Sequence, residues 1–179
     1  MKPSRFAWQW LKRFLKFRVL HVEDSPHRVA LGVALGLAVA WTPAIGLQTV
    51  VLILLAWLVR ANIMAGLPLL WLSNPLTLIP VYAPSYYLGC RLTGVDASRG
   101  DFVGDVAGAM RLSDGFVEKV QAWWRATAPY AGPLWVGSIV VAAAIGALAY
   151  IVTYRAVVAY RRRRPYLGLP MPGENDSAA

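Results

Sequence analysis

From Val29 to Gly89 the chain is almost continuously apolar, and Arg60 is its only charge. Two breaks of one kind interrupt it, Thr42-Pro43 and Asn74-Pro75. A capping residue followed by proline suits a helix start: the side-chain oxygen accepts an orphan N–H, and proline has none to satisfy. The pattern therefore predicts four helical pieces, 29–41, 43–59, 63–73 and 75–89. At about 1.5 Å per residue these cover roughly 20, 25, 16 and 22 Å. A bilayer's hydrocarbon core is about 30 Å thick, so no piece spans it comfortably alone. Kinked spans or half-helices meeting at depth are the two ways out, and irregular backbone there has to be covered by protein or line a watery cavity.

The flanking segments carry different patterns. Phe6, Trp10, Phe14 and Phe17 recur at helical spacing over residues 5–18, with Arg5, Lys12 and Lys16 on another face, which predicts a basic amphipathic helix in the 1–25 flank. Glu23-Asp24-Ser25-Pro26 is a helix-start signal. Within 95–130, Phe102, Val106, Met110, Val117, Val120 and Trp124 trace a helical stripe interrupted near Gly115, which reads as one or two amphipathic surface helices. Residues 132–154 are uncharged and would cover roughly 34 Å as one helix, so 131–155 is predicted to be transmembrane. Residues 156–179 form a basic tail. The fold class expected is an all-α membrane protein with a broken-helix domain over 26–94, its helices kinked or re-entrant.

Small residues recur every four positions at Gly32 and Gly36, the spacing that lets helices approach closely, within one chain or between chains. Gly36-Leu37 leads to Trp41 and Pro43, and Gly66-Leu67 leads to Trp71 and Pro75, a short internal echo at a period of thirty residues.

Composition sharpens this picture. The chain has 179 residues, is 58% apolar and carries a net charge of +9. The excess sits in residues 1–28 and 155–179, whereas 90–130 is neutral. Basic residues that flank apolar runs orient a membrane protein, and no separate basic domain exists for nucleic acid. Arg28, Arg60 and the run Arg161, Arg162, Arg163 and Arg164 read as membrane-interface anchors. Both tails then face the cytoplasm of a multi-pass inner-membrane protein, and the number of crossings is even. Two arrangements satisfy this. Three crossings (29–42, 43–59 and a kinked 63–89) precede the last span, or 29–59 is a re-entrant hairpin and 63–89 crosses once. The second tolerates short arms better. The lone Cys90 excludes an intrachain disulfide.

The apolar block holds no Asp, Glu, His, Lys or Cys, which removes the usual general bases, proton relays and metal ligands, and no cofactor is implied. Its polar residues gather at the breaks: Thr42 with Pro43, then Gln48 and Thr49, and Asn74 with Pro75 and Thr77. Two helix starts meeting there would present free N–H groups and positive dipole ends to a small anionic or lipid-linked molecule. The bland alternative is that these residues only cap broken helices. A scaffold packing through Gly32 and Gly36 against a second copy or another membrane protein is the rival function, and membrane lipids are partners in either case. A third reading, a membrane enzyme using the acids of 90–130, is weaker because those acids alternate with basic residues as on a solvated helix face.

Over 26–94 the chain resembles a bacterial integral-membrane domain of unknown function, the family numbered two thousand and sixty-two. The resemblance rests on Ala30, Gly32, Ala34 and Gly36, on Pro43-x-x-Gly46-Leu47-Gln48-Thr49, on Arg60-x-Asn62 and on Asn74-Pro75-x-Thr77. It implies an inner-membrane location and no settled activity. Many members of that family carry His at the position of Gln48, so the resemblance transfers no titratable role to this chain.

Overall fold

The computed structural model describes residues 24–73, 77–97, 100–111 and 115–162, and all of its regular structure is helical. The predicted N-terminal amphipathic helix and the tail beyond Arg162 lie outside the described residues.

Helix α1, Pro26–Ala40, begins as its sequence predicts: Ser25 is the N-cap, its hydroxyl accepting the Arg28 N–H at 3.3 Å, and Pro26 opens the first turn. The helix ends at Trp41, whose N–H is shared between the Leu37 and Ala38 carbonyls. Here the structure corrects an expectation. Thr42-Pro43 does not start the next helix; it closes α1. The residue before a proline is disfavoured in helical conformation, and the Thr42 hydroxyl turns back to donate to the Val39 carbonyl at 2.7 Å. A turn follows, with Gly46 at φ 89°, and α2 runs from Gln48 to Leu58. At about 1.5 Å per residue it covers roughly 16 Å, shorter than the sequence pattern suggested.

The end of α2 is a Schellman motif. The Arg60 N–H bonds the Trp57 carbonyl at 3.3 Å, and the Ala61 N–H reaches back to the Ala56 carbonyl at 2.8 Å. That closure needs a left-handed residue, and Arg60 occupies it with φ 55°. Asn62 then caps α3, Ile63–Gly66, by accepting the Ala65 N–H. Pro68 sits at the start of the 3-10 segment Leu67–Leu72, which continues α3. Helix α4 spans Leu78–Thr93 and stops at left-handed Gly94. The amphipathic stripe becomes two helices, α5 at Phe102–Arg111 and α6 at Phe116–Thr127. A 3-10 turn, Ala128–Tyr130, joins α6 to the long α7, Ala131–Arg162.

Helix α7 is the axis of the molecule. Its second half runs antiparallel to α1. Arg161 reaches Asp24, Val157 packs with Val29, and Gly146 faces Ala34 and Ala38. Its first half runs antiparallel to α4: Gly137 meets Ser85, and Gly89 meets Pro133. Thus α1 and α4 stack end to end beside one rod. Their 15 and 16 residues together match the 32 of α7.

Glycine sets the two closest approaches. A Cβ at Gly36 would lie 2.4 Å from the Gly66 carbonyl oxygen, and one at Gly32 would lie 2.0 Å from that of Asn62. The small-residue face of α1 therefore packs within the chain, on α3. The second approach is α4 on α7, where a Cβ at Gly89 would stand 1.7 Å from the Pro133 carbonyl oxygen. The thirty-residue echo acquires a spatial counterpart, since Gly36 and Gly66 touch and the helices after the breaks begin at Gln48 and Leu78. The two breaks fold differently, however. After the first the chain doubles back as α2; after the second it continues as α4. The hairpin's ends are tied, with the Asn62 N–H on the Arg28 carbonyl at 2.9 Å and Arg28 Nε on the Arg60 carbonyl at 2.7 Å.

Candidate functional site: a polar junction of four helix ends

The end of α1, the start of α2, the end of the 3-10 segment and the start of α4 come together, and a cluster of polar side chains lies there. A helix end leaves carbonyls without intrahelical partners. Those of Val39, Ala40 and Thr42 are met by two side chains. Gln48 directs its amide Nε2 at Val39 O (3.4 Å), Thr42 O (3.2 Å) and the Tyr82 hydroxyl (3.2 Å). Tyr82 Oη shares its one proton between the carbonyls of Thr42 (2.8 Å) and Ala40 (3.1 Å). The Gln48 Oε1 accepts from the Ser73 hydroxyl at 2.9 Å. Trp123 of α6 closes one side, its Nε1 donating to the Pro43 carbonyl at 3.2 Å and its ring lying 4.9 Å from that of Tyr82.

The junction thus brings Thr42, Pro43 and Gln48 together. Thr49 points outward and is exposed. Thr77 is the N-cap of α4, but its hydroxyl donates to the Leu72 carbonyl rather than capping an N–H. Asn74 and Pro75 lie outside the described residues. Tyr82 and Trp123 were missed by sequence reasoning because both count as apolar in a hydropathy pattern. The available signal was chemical: a buried Tyr or Trp polar group needs a partner, and the nearest spare acceptors were at the break.

Its polarity differs from the one the breaks suggested. The groups concentrated here are carbonyls at the negative end of α1, covered by donors. The cluster is closed, each polar atom of Gln48 being engaged inside the fold. Among the described residues no three His, Cys, Asp or Glu side chains gather to hold a metal.

A second polar group lies at the opposite end of α1. Asp24 pairs with Arg28 at 2.9 Å and accepts from Asn62 Nδ2 at 3.0 Å. Arg161, 2% exposed, donates to the Asp24 carbonyl at 2.8 Å. Arg161 is therefore a tie between α7 and α1, whereas Arg28, Arg60 and Arg162 reach solvent. Arg163 and Arg164 lie outside the described residues. Beyond α4, the Tyr130 hydroxyl donates to Asp105 at 2.5 Å; that bond, and then burial, push the phenol up to about 12.

The model of a family described as an uncharacterized protein conserved in bacteria, DUF2062, matches residues 9–165. The chain belongs to this family. The DUF2062 match reaches well beyond the 26–94 segment whose motifs carry the resemblance, and includes the α5–α6 pair and all of α7. No curated protein and no solved structure gave a match.

Proposed function

We propose that this DUF2062 protein is embedded in the bacterial inner membrane and serves a structural role there, packing against lipid and other membrane proteins. One observation carries the reading: large apolar side chains are bare on two helices. Helix α2 exposes Val50, Leu54, Trp57 and Leu58, and α7 exposes Ile139, Leu148, Ile151 and Val152. The helical run Phe116–Arg162 is long and apolar enough to cross a membrane by length and composition. In water so much exposed apolar surface would drive association. In hydrocarbon it is the solvated state.

In this proposal α7 crosses once and the α3–α4 column crosses once. Helices α1 and α2 form a re-entrant hairpin, its ends at the Arg28, Arg60 and Arg161 pole on the cytoplasmic side. The hairpin's irregular tip is covered by Trp123 and Val120 of α6, in keeping with the need to bury such backbone. Alkaline carbonate extraction of cell membranes tests the embedding. The chain is expected to stay with the pellet, and release into the supernatant refutes the proposal.

A second reading keeps the binding or translocation of a small anionic or lipid-linked molecule. It is favoured by one feature: the N-cap of α2 is Leu47, whose side chain offers no acceptor to the first-turn N–H groups. Gln48→Ala and Asn74→Ala separate the two. Loss of a cellular phenotype at unchanged protein level and melting temperature supports binding. Loss of folded protein supports the structural role.

A further inference from the structure

We propose that Arg60 and Arg28, together with the bare outer face of α2, bind an anionic phospholipid. This rests on the membrane reading above and names the lipid class that the hairpin would hold. The phosphodiester would sit between the two guanidinium groups, and an acyl chain would lie along α2.

Three independent features converge on this place. The first is charge. The Arg28 side chain lies against the backbone of Arg60, its Nε donating to the Arg60 carbonyl at 2.7 Å, and Arg162 follows the nearby Arg161 tie. The one acid described at this pole, Asp24, is already engaged by Arg28 and Asn62 and by the Ser25 N–H. Positive charge remains in excess. The second is shape. Trp57 and Leu58, 75% and 71% exposed, begin an apolar stripe next to Arg60 that continues through Leu54 and Val50 to Leu47. At about 1.5 Å per residue the stripe runs roughly 16 Å from the charged end. A charged headgroup site leading into a bare apolar track matches an amphiphile, not a free anion. The third is the backbone of Arg60. Its left-handed position in the Schellman closure is one that glycine fills without steric cost, yet arginine stands there. An arginine held in such a conformation at an exposed turn points to a use for its side chain.

The same backbone feature supplies the test. Arg60→Gly removes the charge while suiting the turn, so the variant is expected to fold with an undiminished melting temperature. The full chain, in uncharged detergent, is titrated with dioleoylphosphatidylglycerol, dioleoylphosphatidylcholine or inorganic phosphate while its melting temperature is followed. Phosphatidylglycerol is expected to raise it, and the other two to leave it unchanged. In Arg60→Gly the half-saturating phosphatidylglycerol concentration should rise about fivefold, as for one basic residue at a lipid surface. Trp57→Ala, at an exposed position, should also weaken the lipid response. Equal responses to the two lipids overturn the site. So does a phosphatidylglycerol response unchanged in Arg60→Gly, and so does a phosphate response as large as the lipid's, which would mark a free-anion site. Each of these outcomes leaves the membrane reading standing, whereas release on carbonate extraction removes that reading itself.

Discussion

Gln48 shows how much one side chain can hold at a helix break. Its amide bridges the end of α1, the hydroxyl of Tyr82 on α4 and Ser73 at the end of the 3-10 segment. Buried hydrogen bonds of this kind contribute about 1 kcal/mol each, and orphaning a partner costs about 1–3 kcal/mol. Gln48→Ala is therefore expected to destabilise the fold by roughly 2–4 kcal/mol, and Tyr82→Phe by about 1–2 kcal/mol. Denaturation of the single and double variants should give a coupling of about 0.5–3 kcal/mol; strict additivity would mean that the two do not act together. Tyr130 gives a pH signature. Its folded-state pKa, about 12, lies above the ordinary value of 10.0. The contribution is therefore complete below pH 10 and is lost as pH rises through about 12, because the unfolded chain gives up its proton first. Tyr130→Phe should flatten that part of the stability–pH profile; an unchanged slope between pH 10 and 12 would place the effect elsewhere.

At the scale of elements, glycine decides how closely helices meet. Gly137→Ala would put a Cβ 1.8 Å from the Ser85 carbonyl oxygen, and backbone rather than a flexible side chain would have to move. A loss of about 2 kcal/mol or more is expected, near the upper range for overpacking. Gly108 in α5 faces no atom within 4 Å, so Gly108→Ala should stabilise by about 0.5–1 kcal/mol through helix propensity alone. Thermal unfolding of the pair checks both signs. Much at this scale was legible in the sequence. Ser25-Pro26 starts α1, and the stripe over 95–130 becomes two helices separated near Gly115. The first break was located correctly but read in the wrong direction, because a cap followed by proline serves either end of a helix. What settled it was Gly46, whose left-handed turn moves the next start to Gln48, and the Thr42 hydroxyl, which found a carbonyl. The Gly89–Gly137 contact left no local mark, since its partners are 48 residues apart and come together only after α4 has stacked on α7.

At the scale of the molecule, the end-to-end arrangement of α1 and α4 follows from no local pattern. It depends on α7 being long enough to serve both. Under the membrane reading it predicts sidedness. Single cysteines at positions 60 and 162, introduced with buried Cys90 left in place, should react with an impermeant thiol reagent from the cytoplasmic face. A cysteine at 95 should react from the other face. Labelling of 60 and 95 from one side would remove the single crossing of 63–89 that both arrangements require. The stacking also has a mechanical meaning. A seam runs across the molecule where α1 stops and α4 begins, and among the described residues the rod of α7 crosses it unbroken. Force applied at the α5–α6 end would reach the arginine pole through that rod and through the Trp123 contact with the hairpin tip. The polar clasp of Gln48 and Tyr82 sits on the seam, so it would be the first thing a flexing α7 stretches.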